Sequence, residues 1–401
     1  MALERITPIV SSHERRYVMV PEMKMAFLHD NFAQHGGAER VAEEIAKMLP
    51  HADMLSTVTV SRKLSAYIRS RQVKTTWMQH LPAIDRLYRH YFLLYPLAIR
   101  SLDLSAYDVV ISSCVGFAKG AIREQGAVHI CYCHTPTRWI WRFNDYAERE
   151  GFTIFKHLLL KSLLTVVRRV DMYTASQPDY YLANSRNVAD RIKRYYKRNA
   201  FVIYPPVDLS RFRISNAVED YLLIVSRLLP YKRVDLAIEA CNQMGKRLVI
   251  IGDGPDRVRL GALAGPTVQL LGWRSDEEVA ELLSRCQAVV FPGEEDFGMV
   301  PIEANASGRP VIALAAGGAL ETVVDGVTGV LYQESSVTSL LEAIRRCGEI
   351  QWDSGELRNY SRQFDVSVFR ARFLEFLDDV VGSHVMGAQV VEREISEGAA
   401  A

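Results

Sequence analysis

The chain reads Glu295-Asp296-Phe297-Gly298-Met299-Val300-Pro301-Ile302-Glu303, two glutamates with seven residues between them. A carboxylate only accepts hydrogen bonds and can take a pair of hydroxyls, so two placed together suit a polyhydroxylated ligand such as a sugar or a ribose. An apolar run, Ala288–Phe291, reads as a buried strand that passes through a Pro-Gly turn into a helix beginning near Met299. Glu295 then sits on the loop at the strand's carboxyl end. Glu303 lies about one turn into the helix, on a face that reaches the same space. The amides of Gly298 and Met299 have no partner at a helix start and suit an anion or a hydroxyl oxygen. An equally simple reading makes Glu295 an acid facing the helix dipole and Glu303 a solvated residue.

A basic stretch, Ser226-Arg227-Leu228-Leu229-Pro230-Tyr231-Lys232-Arg233, follows another strand and opens another helix. Cations there oppose the helix dipole, which disfavours a purely structural reading. Arg227 and Lys232 can meet a diphosphate with fixed donors as a leaving group gains charge, whereas Arg233 also fits a plain surface role. Gly36-Gly37 follows the first strand and lets backbone approach a phosphate or an acceptor, although a simple turn also explains it. No Gly-Lys-Ser/Thr completes a Walker loop and no G-x-G-x-x-G follows a strand, so hydride transfer is poorly supported.

His134 ends a strand in Cys131-Tyr132-Cys133-His134-Thr135-Pro136-Thr137-Arg138-Trp139-Ile140-Trp141. A lone histidine is usually structural. No second Cys/His pair completes a tetrahedral site, so no metal is expected here. Trp139 and Trp141 offer flat faces to a sugar or to the core. D-x-D is absent from the chain, which leaves Arg227 and Lys232 to neutralise a diphosphate; activity in EDTA and no cofactor are the expectations.

These residues need rigid elements to hold them. Strand-like runs at Met25–His29, Asp108–Ser112, Val128–Cys131, Tyr180–Ala183 and Phe201–Tyr204 alternate with helical patterns, among them Ala38–Leu49 and Arg186–Tyr196. Pro205-Pro206 makes a stiff connector. A second series follows at Tyr221–Val225, Arg247–Ile251, Val268–Leu271, Ala288–Phe291, Pro310–Ala313 and Gly329–Tyr332. Nearly all-apolar strands alternating with helices predict parallel sheets covered on both faces. The expected organisation is an N-terminal Rossmann-like domain over 1–206, with 1–23 as a tail, and a C-terminal one over 207–364. A helix over 365–385 would pack back on the first domain. The carboxyl ends of the two sheets would face one cleft.

The composition agrees with a two-domain globular protein: 401 residues, 49% hydrophobic and 24% charged. A net charge of +1 provides no global pull toward nucleic acid. Six scattered cysteines fit a reducing cytoplasm, and the first 24 residues show no apolar core of a signal peptide. The longest apolar stretches are too short to span a bilayer.

The motifs together resemble the family-4 retaining glycosyltransferases of the GT-B architecture, over about Lys24 to Asp379. The family's signature is a pair of glutamates with this spacing around a Phe-Gly. The resemblance implies that Glu303 holds the nucleotide ribose and that Glu295, with the backbone of Phe297, Gly298 and Met299, holds donor-sugar hydroxyls. It implies that Arg227 and Lys232 hold the diphosphate beside the Gly36-Gly37 loop, within Gly-Gly-Ala-Glu-Arg. It implies that His134 lies beside the reaction centre, making His134 and Glu295 the catalytic pair. The run from His134 to Trp141 is similar to bacterial polysaccharide and O-antigen mannosyltransferases. Arg138 and Trp139 are accordingly acceptor-side candidates, and GDP-mannose is the first donor to try. Retention by front-face attack, with a donor phosphate oxygen deprotonating the acceptor, is likewise implied by the resemblance.

Residues 61–100 hold eight Lys or Arg against one acid, Asp85, interleaved with Trp77, Tyr88, Tyr91, Phe92 and Tyr95. Such a stretch suits an anionic membrane surface and a lipid-linked or glycan acceptor; the plainer reading is a solvated face over core aromatics. A GT-B phosphorylase or epimerase, and a non-catalytic sugar-nucleotide scaffold, are the alternatives to a transferase.

Overall fold

The computed structural model describes residues 23–34, 36–142 and 154–398. Residues 1–22 of the expected tail and the small-residue end at 399–401 lie outside the described residues.

The first sheet has seven parallel strands: β1 (Met25–His29), β2 (Asp53–Ser56), β3 (Val73–Thr75), β4 (Val109–Cys114), β5 (Val128–Cys133), β6 (Tyr180–Ala183) and β7 (Phe201–Val202). Their spatial order is β3-β2-β1-β4-β5-β6-β7. The second has six: β8 (Leu222–Val225), β9 (Leu248–Ile251), β10 (Val268–Gly272), β11 (Ala288–Phe291), β12 (Val311–Leu314) and β13 (Gly329–Tyr332), ordered β10-β9-β8-β11-β12-β13. Both are doubly wound, and each reverses direction once, between β1 and β4 and between β8 and β11. Every residue of β4, β5, β9, β11 and β12 is buried, as strands covered on both faces must be. These are the two doubly wound parallel-sheet domains expected from the alternating pattern, in the GT-B architecture that the resemblance implies.

Four helices matter for the site: α1 (Gly37–Met48), α2 (Arg186–Tyr196), α3 (Met299–Ala306) and α4 (Val366–Gly398). Helix α2 buries Val188, Ile192 and Tyr196, one residue per turn, and its start is capped by Ser185, whose Oγ accepts the Val188 amide. Helix α4 begins where the helix over 365–385 was expected and runs on to Gly398. Its residues Phe369, Phe373, Leu377, Val380 and Val381 are buried in the core of the first domain. Burying a side chain of this size stabilises by about 1.5–3 kcal/mol, so the end of the chain clasps the domain it began in.

The chain crosses between domains twice, and the crossings touch. Val207 donates its amide to the Phe364 carbonyl at 3.0 Å and accepts from the Val366 amide at 3.2 Å.

Candidate functional site

The crevice lies where both sheets reverse, outside the carboxyl ends of their strands. On the first-domain side, Asp30 follows β1 and accepts hydrogen bonds from four amides of the loop after β4: Val115, Gly116, Phe117 and Ala118, at 2.5–2.9 Å. One buried carboxylate satisfying four orphan donors fixes that loop against β1. Beside it, His29 Nδ1 is 3.0 Å from Ser113 Oγ, and the same oxygen is 2.9 Å from His134 Nε2. The His134 backbone amide donates to the Cys114 carbonyl, tying β5's end to β4. Burial, with the neighbouring His29 charge adding, drives the His134 imidazole down to about 3, so it is neutral at any ordinary pH.

Glu39 stands in the first turn of α1, its Oε1 4.0 Å from His29 Nε2. Burial pushes this carboxyl up. Hydrogen bonding to His29, the His29 charge, and bonds from Gln34 and its own backbone outweigh that and hold it below the usual range. Gly36 and Gly37 precede it. A Cβ on Gly36 would meet Glu39 Oε2 at 2.9 Å, and one on Gly37 would sit 3.4 Å from the Met299 sulfur, so this loop faces the start of α3 across the crevice.

On the opposite wall, Lys232 and Glu295 form a direct ion pair. Burial lowers the Lys232 ammonium to about 7, with Arg138 and Arg227 adding like charge and Asp296 opposing them. Arg227 donates to Gln34 of the first domain at 3.3 Å. Glu303, nearly buried one turn into α3, has its carboxyl pushed up by burial, opposed by Arg40 and Arg211. Arg40 of α1 reaches across to it at 3.8 Å and pairs with Asp276 at 2.7 Å. Gly298 starts α3 at φ +90°, where a Cβ would strike the Phe291 ring at 2.8 Å. Phe297 itself is core, stacked on Tyr204 with centroids 5.4 Å apart, and contributes only backbone to the crevice.

The structure thus brings Gly36, Gly37, His134, Arg227, Lys232, Glu295, Gly298, Met299 and Glu303 to one crevice. Arg138, expected on the acceptor side, pairs with Asp296 at 2.8 Å and Glu295 at 3.7 Å, and lies over the Tyr231 ring. Its cation bridges the domains beside the carboxylate motif. The side chain of Trp139 lies outside the described residues. Trp141 packs, donating to Asp171 at 2.7 Å and stacking on Tyr195. Arg233 bonds Asp235 and Ser335 in its own domain.

Sequence reasoning named Glu39 and Arg40 only within Gly-Gly-Ala-Glu-Arg, giving neither a role, and missed Gln34 and the cross-domain roles of Arg191, Glu294 and Asp296. Arg191 pairs with both Glu294 and Asp296. Arg142 meets Glu294 at 2.6 Å. Ser185 and Asn187 donate to the Asp296 carbonyl, and Glu321 accepts the amides of Arg186 and Asn187 at the start of α2. Only the crowding of Arg and acids around known motifs could have signalled them.

Comparison with known proteins gives this crevice its class. Residues 35–211 match the family described as Glycosyltransferase Family 4, and residues 210–364 match Glycosyl transferases group 1. An uncharacterised glycosyltransferase of Methanocaldococcus jannaschii is 30% identical over 43% of this chain, which spans half of that relative's length. Human alpha-1,3/1,6-mannosyltransferase ALG2 is 27% identical over 79% of this chain and 86% of its own. A GDP-mannose-dependent alpha-mannosyltransferase of Mycobacterium tuberculosis is 44% identical, over 27% of this chain and 28% of its own. The crystal structure of Anabaena HepE in complex with UDP superposes with a TM-score of 0.67 at 21% identity, covering 89% of this chain and all of that one. Fold and relatives define a GT-B enzyme. The chain is a glycosyltransferase, a family 4 domain followed by a group 1 domain.

Proposed function

We propose that this enzyme is a retaining, metal-independent mannosyltransferase that uses GDP-mannose and acts in cell-surface polysaccharide assembly. The observation that carries the site assignment is the Lys232–Glu295 ion pair at the mouth of β8 and β11, with Arg227 and Glu303 around it. Lys232 and Glu295, in direct contact in this crevice, are matched to the two halves of a nucleotide sugar. Lys232 turns to the diphosphate, and Glu295, released, accepts sugar hydroxyls. Glu303 takes the ribose. Lys232 and Arg227 supply the charge that a divalent cation would otherwise bring to the departing diphosphate. His134 borders the anomeric centre, and a donor phosphate oxygen takes the acceptor proton. The mannose donor is favoured by the mannosyltransferase relatives.

The deciding experiment is thermal melting with GDP, UDP, ADP and TDP, on wild type, Glu303→Ala and Lys232→Ala, followed by transfer assays in EDTA. GDP alone should raise the wild-type midpoint, both substitutions should abolish that rise, and transfer from GDP-mannose should persist in EDTA. Stabilisation by UDP alone would overturn the donor; transfer lost on chelation and restored by Mn²⁺ would overturn metal independence. No shift with any nucleotide would favour a non-catalytic scaffold.

A lipid-linked saccharide is the acceptor class we favour, met at the inner face of the cell membrane. Leu163, Val166, Val170 and Tyr173 line the exposed side of the helix Ile154–Ala175, and exposed Leu93 and Leu97 stand on the neighbouring segment, where Arg100 lies over the Tyr173 ring. An apolar ridge with basic flanks suits anionic headgroups. Among the described residues no helix is long and apolar enough to cross a membrane. Sedimentation with phosphatidylglycerol vesicles at low salt should carry the protein down, and Val166→Asp should leave it in the supernatant; no binding at low salt removes this part of the reading.

A further inference from the structure

Behind His134 runs a buried file of polar groups that the transfer chemistry described above does not use. It begins at Glu39 in the first turn of α1, passes through the His29 imidazole at the end of β1 and the Ser113 hydroxyl on β4, and ends on His134 Nε2. All four residues are buried, at 7%, 1%, 0% and 7% exposure. Each comes from a different element, so the file is made by the fold rather than by local sequence.

With both imidazoles neutral, its hydrogen-bond polarity has two self-consistent settings. A serine hydroxyl has one proton, so Ser113 can donate to only one of the two imidazoles it touches, and it accepts from the other. If His29 carries its proton on Nε2, its Nδ1 is an acceptor. Ser113 then donates to His29 and accepts from His134 Nε2–H, leaving the His134 Nδ1 lone pair free. If His29 carries its proton on Nδ1, every bond reverses. Ser113 donates to His134 Nε2, and His134 presents an Nδ1–H donor instead.

Glu39 breaks the tie. An ionised carboxylate beside His29 Nε2 draws the proton to that nitrogen. We propose that Glu39, His29 and Ser113 are positioning residues that hold His134 as its Nε2–H tautomer, so that it meets the donor sugar as a hydrogen-bond acceptor. The hydroxyl it accepts from is then fixed in direction beside the reacting carbon. The depressed imidazole of His134 agrees, since a neutral ring is required for a single free lone pair. The catalytic consequence rests on the reading that His134 borders the anomeric centre; the tautomer itself does not.

The test is two-bond ¹H–¹⁵N correlation on the full chain labelled with ¹⁵N-histidine, with His134 signals assigned by their loss in His134→Gln. The wild type should show His134 protonated on Nε2. Glu39→Gln, which keeps shape and removes charge, and Ser113→Ala should both shift it toward Nδ1–H or a mixture. In the same variants kcat should fall roughly tenfold with donor KM held within about threefold, the signature of an interaction realised mainly in the transition state. Ser113→Thr, which keeps the hydroxyl, should restore both tautomer and rate. An Nδ1–H tautomer in the wild type, an unchanged tautomer in both variants, or a changed tautomer with unchanged kcat each overturns the proposal. If the tautomer behaves as described and no sugar nucleotide supports transfer, the functional reading fails while the tautomer assignment stands.

Discussion

His129 and His134 lie at the two ends of one strand, and burial drives both imidazoles to about 3, with the Arg123 charge adding at His129 and that of His29 at His134. In the unfolded chain each titrates near about 6.5. Between those values the unfolded state binds protons that the folded state refuses, so stability rises as pH rises from about 3 to about 6.5 and is lost on acidification through that window. His129 is the cleaner probe, because its Nε2 bonds Ser112 inside the sheet, away from the crevice. His129→Gln, which can keep that bond, should flatten the acid limb of melting temperature against pH; an unchanged slope would show that burial does not penalise its protonation. At this scale the sequence was legible where chemistry is written within one segment. Glu295 and Glu303 share a loop and helix, and Arg227 and Lys232 share a turn. The pairings of Arg40 and Gln34 were silent because their partners, Glu303 and Arg227, stand in the other domain, and no spacing along the chain encodes that approach.

Strand β11, the Gly298 turn and helix α3 act as one unit that aims Glu295 and Glu303. The turn needs φ +90° at Gly298 and leaves no room for a Cβ against Phe291. Gly318 approaches from the next loop, where a Cβ would meet the Phe297 backbone at 2.2 Å. Gly298→Ala should therefore destabilise by roughly 1–3 kcal/mol in urea unfolding and weaken nucleotide-induced stabilisation. The control is Gly261→Ala, at a position where a Cβ meets nothing within 4 Å, and it should do neither. Equal effects from both substitutions would show that the turn geometry does not matter. The same unit was readable beforehand because Ala288–Phe291 is a continuous apolar run bounded by Pro and Gly. Strands β2 and β3 were not. Asp53–Ser56 and Val73–Thr75 are too short for a period to emerge, and β3 is an edge strand of half-exposed and exposed residues. Strands β4 and β5 run past their expected ends at Ser112 and Cys131 because Ser113, Cys114 and Cys133 are polar or small yet buried.

Across the whole molecule, a network of charged groups bridges the two domains. Arg138, Arg142 and Arg191 of the first domain meet Glu294 and Asp296 of the second, and Glu321 takes the start of α2. These groups are partly exposed, so salt weakens them. Arg191→Ala leaves Glu294 and Asp296 short of a shared cation. It should raise the radius of gyration in small-angle scattering at low salt, and the wild type should approach the same value as salt is added; identical curves for the two proteins at every salt would rule out this role.

The paired crossings at Val207 and Phe364–Val366 have a mechanical consequence. A body tied at two adjacent points swings about the line through them and resists screwing about its long axis. The two crossings therefore restrain sliding of one domain past the other more than turning about the line through them, and so favour the alignment in which Arg191 meets Asp296.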